Sequence, residues 1–427
     1  MSRLTAMRVI FVLCLVAALT YSTVRAQDAA PAVTLKGYAV LPADSFSDGL
    51  PSGAKIDPKS DLNGRTIPFK SQPVQGFSAI LPAANGNWLV MSDNGYGAKA
   101  NSADFLLRFD EMKIDWEKKT VQVVDFTTLS DPDTKVPFPI VNNDTKDRLL
   151  TGADFDPESF RKAPDGTFWF GEEFGPFLVH TDAAGKVLEA PIPTPIPDVL
   201  KPYANGLTYF QSPDHPDFVE LVDQKARQTA TNQRRSKGFE GMAINATGDI
   251  LYPLLEGAMT LDPFQDRLLI QEFDLKTKAY TRKHYFYAMS NPGNAIGDMT
   301  AINDTEFLII ERDGGQGKDA KFKRIYKVDF SQAAPDGVLS KTLFVDLMAI
   351  NDTKGLTKAE DGAVGLGADF AFPFLTIEAV YPVDAQTLIV ANDNNYPFSS
   401  GRRPGKAPDD NEFILLTLPT VLNLATK

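Results

Sequence analysis

A single cysteine, Cys14, occurs in 427 residues, so neither a disulfide framework nor a Cys-rich zinc site is available. Histidine is nearly as scarce: His180, His215 and His284 each stand alone, which argues against a histidine-built metal centre. Basic residues are outnumbered, 43 Lys+Arg against 55 Asp+Glu, for a formal net charge of −12. That imbalance argues against a nucleic-acid binder, which needs clustered Lys and Arg, and against docking on anionic membranes. No apolar run reaches the 18 uninterrupted residues expected of a membrane-spanning helix. Three catalytic signatures are also missing: a Gly-x-Ser-x-Gly elbow, a His-Glu-x-x-His helix and a P-loop.

What is present is a composition suited to a large core, 43% hydrophobic and 23% charged. Thirty prolines favour many turns over a helical bundle. Arg3 and Arg8, the apolar stretch Val9 to Leu19 and the Val24-Arg25-Ala26 site have the layout of a secretory signal cleaved before Gln27. The reading is residues 1–26 as signal and 27–427 as one domain, exported to the periplasm or beyond and expected to be monomeric. Removing the signal takes Arg3, Arg8 and Arg25, leaving 40 bases against 55 acids, a net charge of −15, and no cysteine. An exported chain without disulfides is held by packing, and metal ions are a second means.

One pattern recurs: a short apolar stretch holding an acid, a turn, a second apolar stretch, then another acid. It runs Gly76 to Ile80, Asn85-Gly86 and Trp88 to Asp93; then Pro157 to Phe160, Asp165-Gly166 and Phe168 to Glu173. It continues with Gly238 to Met242 and Ile250 to Glu256, Ile296 to Met299 and Phe307 to Asp313, and Thr376 to Val380 and Thr387 to Asp393. Asn-Gly and Asp-Gly between β-rich runs are hairpin signals. Third strands are expected at Phe105–Phe109, Phe177–His180, Leu268–Phe273, Arg324–Val328 and Phe413–Leu418. Fourth strands are expected at Thr120–Phe126, Lys186–Glu189, Ala279–Tyr287 and Thr342–Val345. Four antiparallel strands per repeat make a β-propeller blade. The expected fold is therefore all-β, with five to six blades and long insertions at Ser130–Thr151, Pro191–Lys237 and Ala349–Phe374. A strand at Val33–Leu41 would complete the last blade and close the ring without an exposed edge.

The acids fall at fixed intervals. Ser78 to Asp93, Glu158 to Glu173, Asp298 to Asp313 and Glu378 to Asp393 are each 15 apart, and Glu240 to Glu256 is 16. The start of one hairpin strand neighbours the end of the next, so these ten positions, nine of them acidic, should ring one mouth of a channel. Adjacent carboxylates repel, and calcium, which takes six to eight oxygen ligands, relieves the repulsion. The candidate ligands are Asp93, Glu158, Glu173, Glu240, Glu256, Asp298, Asp313, Glu378, Asp393 and Asn394. The competing reading of each acid is a turn cap bonded to backbone amides. Asp154 and Asp156 fit either role. Arg235, Lys237, Arg312 and Arg402 are placed to contact substrate, and Arg312 with Glu173 and Glu311 is the expected catalytic set.

These segments resemble the phytase-like family, also described as esterase-like activity of phytase. The resemblance rests on Asp156-Pro157-Glu158, Pro164 to Trp169, Glu173 to Phe177, Gly238-Phe239-Glu240-Gly241, Glu311-Arg312-Asp313, and Asn392 to Ser399 with Gly401-Arg402. It implies a propeller domain, export, and hydrolysis of a phosphoric or related ester on a small molecule. Ser78, where the other repeats carry an acid, departs from the internal pattern. Two alternatives stay open: a metal-dependent lactonase or carboxylesterase on the same scaffold, and a non-catalytic binding propeller.

Overall fold

The computed structural model describes residues 32–425; the segment read as a signal lies outside them. The chain is all-β and propeller-like, and short strands alternate with irregular loops. Among the described residues no helix is long and apolar enough to cross a membrane.

Repeat 1 comprises Phe77–Pro82, Trp88–Ser92, Arg108–Asp115 and Thr120–Thr128. Repeat 2 comprises Pro157–Lys162, Phe168–Glu172, Phe177–Thr181 and Ile192–Pro193. Repeat 3 comprises Phe239–Ile244, Ile250–Leu255, Arg267–Asp274 and Ala279–Ala288, with Val338–Leu339 added in parallel. Repeat 4 comprises Ala295–Ala301, Glu306–Arg312, Lys323–Asp329 and Lys341–Asp346. Repeat 5 comprises Thr376–Asp384, Thr387–Asp393 and Asn411–Thr417. Val33–Leu41 pairs antiparallel with Asn411–Thr417, from Thr34 opposite Thr417 to Leu41 opposite Asn411. A single parallel bridge, Val40 to Thr120, joins that edge to repeat 1.

The first strand of each repeat packs against the first strand of the next, and that of repeat 5 packs against that of repeat 1. The apolar core is divided accordingly. Phe109, Phe160 and Phe170 fill the space between repeats 1 and 2; Trp169, Met242 and Phe273 that between 2 and 3. Leu254, Met299 and Phe307 lie between repeats 3 and 4, Ile310, Ile377 and Val390 between 4 and 5, and Phe77, Ile80 and Ile389 between 5 and 1. Each strand exposes one face to each neighbour, which is why the runs read as continuously apolar.

Two expected strands differ. The third strand of repeat 1 begins at Arg108, because Phe105 and Leu107 bond instead to Gly152 and Leu150 of the long loop. In repeat 2, Lys186–Glu189 forms no fourth strand. Val187 bridges Thr181 across the tight turn at Asp182–Gly185, Lys186 bridges Ser130, and Ile192–Pro193 takes the edge.

Candidate metal centre

Every first strand carries a β-bulge at its start. The ladder skips from Phe77 to Ala79, Pro157 to Ser159, Phe239 to Gly241 and Ile377 to Ala379. The skipped residues are Ser78, Glu158, Glu240 and Glu378. A bulge turns its extra side chain out of the pleat, here toward the end of the neighbouring strand. Asp93, Glu173 and Glu256 immediately follow the end of that strand, and Asp393 is its last residue. Backbone bonds Asp93 N to Gly76 O, Glu173 N to Asp156 O and Glu256 N to Gly238 O hold these ends at 2.8, 3.0 and 2.8 Å.

Repeat 4 is different. Ile296 pairs with Glu311 and Met299 with Ile309, so its equivalent positions are Gly297 and Arg312, not Asp298 and Asp313. Gly297 is bare for a steric reason: a Cβ there would stand 2.3 Å from Ile377 O of repeat 5. Asp298 turns inward and bonds Arg161 Nη2 at 2.6 Å. Asp313 accepts Lys321 N at 2.7 Å and Phe322 N at 2.9 Å and pairs with Lys323 Nζ at 3.0 Å, closing a turn.

Arg312 therefore lies among the acids as the protein's own cation. Its Nη2 is 2.7 Å from Glu378, 3.7 Å from Glu240 and 4.0 Å from Glu256. Lys237 Nζ lies 2.5 Å from Glu256 Oε2. Asp156 is an additional acid: the positions equivalent to it are Gly76, Gly238, Ala295 and Thr376. Its Oδ2 accepts Asn94 Nδ2 at 2.8 Å.

Two triads result. Ligand oxygens of Asp156, Glu158 and Glu173 lie within 4.8 Å of one another, as do those of Glu173, Glu240 and Glu256. Glu173 belongs to both, and its Oε1 is buried without a hydrogen-bond partner, as is Oε1 of Glu240. Burial, then the neighbouring carboxylates, pushes the carboxyls of Asp93, Glu158, Glu173 and Glu240 well above their ordinary range. Burial lifts Asp156 to about 7, and burial with Glu378 beside it lifts Asp393 to about 7. Two like charges 4 Å apart repel by about 4 kcal/mol at an effective dielectric of 20. Eight carboxylates (Asp93, Asp156, Glu158, Glu173, Glu240, Glu256, Glu378, Asp393) face Arg312 and Lys237. They need protons or added cations to coexist.

Other candidate residues lie elsewhere or are already engaged. Glu311 is fully buried and accepts from Tyr287 Oη (2.7 Å), Ser290 N (2.7 Å), Asn294 Nδ2 (2.7 Å) and Lys341 Nζ (2.6 Å). Arg402 is equally buried, forked onto Glu412 at 2.8 and 2.6 Å. Arg235 pairs with Asp214 at 3.2 Å on a loop. Asn394 spans Gly76 N (3.4 Å) and Asp409 O (3.0 Å). Asp154 caps a turn through Val141 N and Thr151 N, at 2.7 and 2.8 Å.

A family model described as phytase-like, esterase-like activity of phytase, matches residues 72–396. An uncharacterized secreted protein of Arthroderma benhamiae is 25% identical over 186 residues, 39% of this chain and 36% of that protein, so the match spans about a third of that relative's length. Among solved structures, regucalcin from Agrobacterium tumefaciens, a calcium-binding protein, has 10% identity and a TM-score of 0.37 over 83% of this chain and 94% of its own. The periplasmic gluconolactonase of Pseudomonas aeruginosa has 10% identity and a TM-score of 0.34 over 88% and 98%. With its matched segment running from the first bulged strand to the Asp393 turn, the chain belongs to the phytase-like family, esterase-like activity of phytase.

Proposed function

We propose that this protein is an exported, cation-dependent hydrolase of phosphoric or related esters, with calcium as the cation and the acid-lined mouth as the site. In this reading the five repeats are five blades, and Val33–Leu41 completes the last and closes the ring. The observation that carries the proposal is Glu173, shared by two carboxylate triads and retaining a buried oxygen with no partner. The donors are all carboxylate oxygens, without histidine or cysteine, a set suited to a hard cation. Asp156, Glu158 and Glu173 would hold one ion, and Glu173, Glu240 and Glu256 a second.

A bound cation supplies Lewis acidity to the ester's oxygen and lowers the pKa of a coordinated water. The chain's own residues do the rest. Arg312 and Lys237 border the second triad and grip the anionic oxygens of the substrate; Arg312 Nε has no hydrogen-bond partner to give up. Asp393, which belongs to neither triad and which burial beside Glu378 raises to about 7, is the carboxyl that would take a proton from water and return it to the leaving oxygen. Glu311 and Arg402 have no free capacity and hold the blades. Export rests on the layout of residues 1–26.

The test is hydrolysis of a phosphomonoester, a phosphodiester and a lactone, before and after chelation. The expected result is phosphoester turnover that chelation abolishes and calcium restores. Lactone turnover alone would overturn the phosphoester assignment, and calcium binding without turnover of any of the three would overturn the enzyme reading.

A further inference from the structure

The opposite end of the channel carries different chemistry. The first strands run from the acid mouth to Pro82, Lys162, Ile244 and Ala301, five or so residues on, about 17 Å at 3.3 Å per residue. There a cavity of ≈ 820 Å³ opens between the turns of the repeats. Its walls include Leu81, Trp88, Ile244, Ile302 and Tyr381, and Trp88 meets Tyr381 edge-on at 5.9 Å between ring centroids. Its volume falls in the usual range for small-molecule sites, about 300–1,000 Å³.

The charge of this cavity opposes that of the molecule. In a chain of net charge −12, no carboxylate side chain lines it among the described residues, and its formally charged lining residues are Arg161 and Lys162. Arg161 is 3% exposed in its side chain. Nη2 is held by Asp298 Oδ1 and Met299 O at 2.6 Å and Nη1 by Phe160 O at 2.6 Å. Its Nε donates no hydrogen bond among the described residues. Asp298 Oδ2 is likewise buried without a partner. The Arg161–Asp298 pair thus lies in the cavity wall as a fixed dipole with two N–H groups, on Nε and Nη1, not used in these bonds, and Lys162 stands exposed at the lip.

We propose that this cavity binds an amphipathic monoanion, its apolar body against Trp88 and Tyr381 and its carboxylate-type head beside Lys162 and Arg161. Half-buried aromatic and buried aliphatic walls take up the apolar body, while Lys162 supplies the unpaired positive charge and Arg161, paired with Asp298, offers N–H donors that orient the head. The site is separate from the acid mouth, and the proposal does not depend on the hydrolase reading.

The experiment uses the mature chain and needs no activity assay. Decanoate below its micelle concentration is titrated calorimetrically, with decanol as the uncharged counterpart and anilinonaphthalene sulfonate as a fluorescent competitor. The expected result is saturable one-to-one binding of decanoate that displaces the fluorophore, with decanol at least tenfold weaker. Lys162→Glu, at an exposed position, should weaken decanoate at least tenfold, and Ala301→Trp, which fills the cavity, should abolish binding. No saturable binding, equal affinity for decanol, or unchanged affinity in Lys162→Glu would overturn the proposal. So would a dimer in sedimentation that Ala301→Trp dissociates, since a second copy would then be the occupant.

Discussion

At the scale of single residues, the environment of each acid decides its chemistry. Glu311 and Glu173 are both buried, yet Glu311 has a donor on each oxygen and Glu173 has an orphaned one. Asp110, outside the mouth, provides a clean titration. It is buried, its Oδ1 has no partner, and burial raises its carboxyl to about 7, partly opposed by Arg108. Below about pH 4 it is protonated in folded and unfolded chains alike. Between about 4 and 7 the unfolded chain releases a proton that the folded chain keeps, so stability falls as pH rises through that window and levels off above it. Asp110→Asn removes this term. Urea unfolding at pH 4.5 and 7.5, in saturating calcium, should show wild type losing roughly 2–4 kcal/mol more than the variant. Identical losses would contradict the assignment.

At the scale of elements, the bulge aims the acids, and it was only partly legible. Hairpins and their turns could be read, because Asn85-Gly86 and Asp165-Gly166 lie between strand-length apolar runs; Asn85, Gly86 and Gly166 have φ of 58°, 78° and 89°. The register in repeat 4 could not. Gly297 to Arg312 and Asp298 to Asp313 are both 15 apart, so spacing alone does not separate them, and the acidic pair fits the repeat by residue type. What decides is contact with repeat 5, which leaves no room for a side chain at 297. Asp156 has no acidic counterpart in the other repeats, so the internal pattern gave it no special weight. Arg402 follows the Asp393 motif closely but pairs with Glu412, ten residues on across an irregular loop whose path the sequence does not reveal. Gly297→Ala should therefore destabilise the fold by about 1–3 kcal/mol through overpacking. Thermal unfolding checks this, and an unchanged melting temperature would mean that the two strands separate freely.

At the scale of the whole molecule, part of the acid excess is localised: carboxylates from four of the five repeats gather at one end of the sheets, and in the proposed function their charge is balanced by an added cation. In the proposed reading the N-terminal strand closes the ring, and it is well anchored in the core. Val33, Leu35 and Leu41 are buried, and at about 1.5–3 kcal/mol each they rival the 5–15 kcal/mol that holds a domain together. A chain beginning after Leu41 should lose its cooperative unfolding transition by calorimetry; a sharp transition at the parent temperature would show that the strand is dispensable.

The central claim is that the mouth is a cation site organised by Glu173. Calorimetric titration of calcium into metal-stripped protein, alongside Glu173→Gln, tests it most directly. The account predicts saturable binding to the parent chain. Calcium at a hundred times Kd should stabilise the parent by about 2.7 kcal/mol. Glu173→Gln, folded but missing the shared ligand charge, should lose both the binding heat and the stabilisation. Calcium that binds the variant as tightly as the parent, or that leaves the parent's unfolding unchanged, would contradict it.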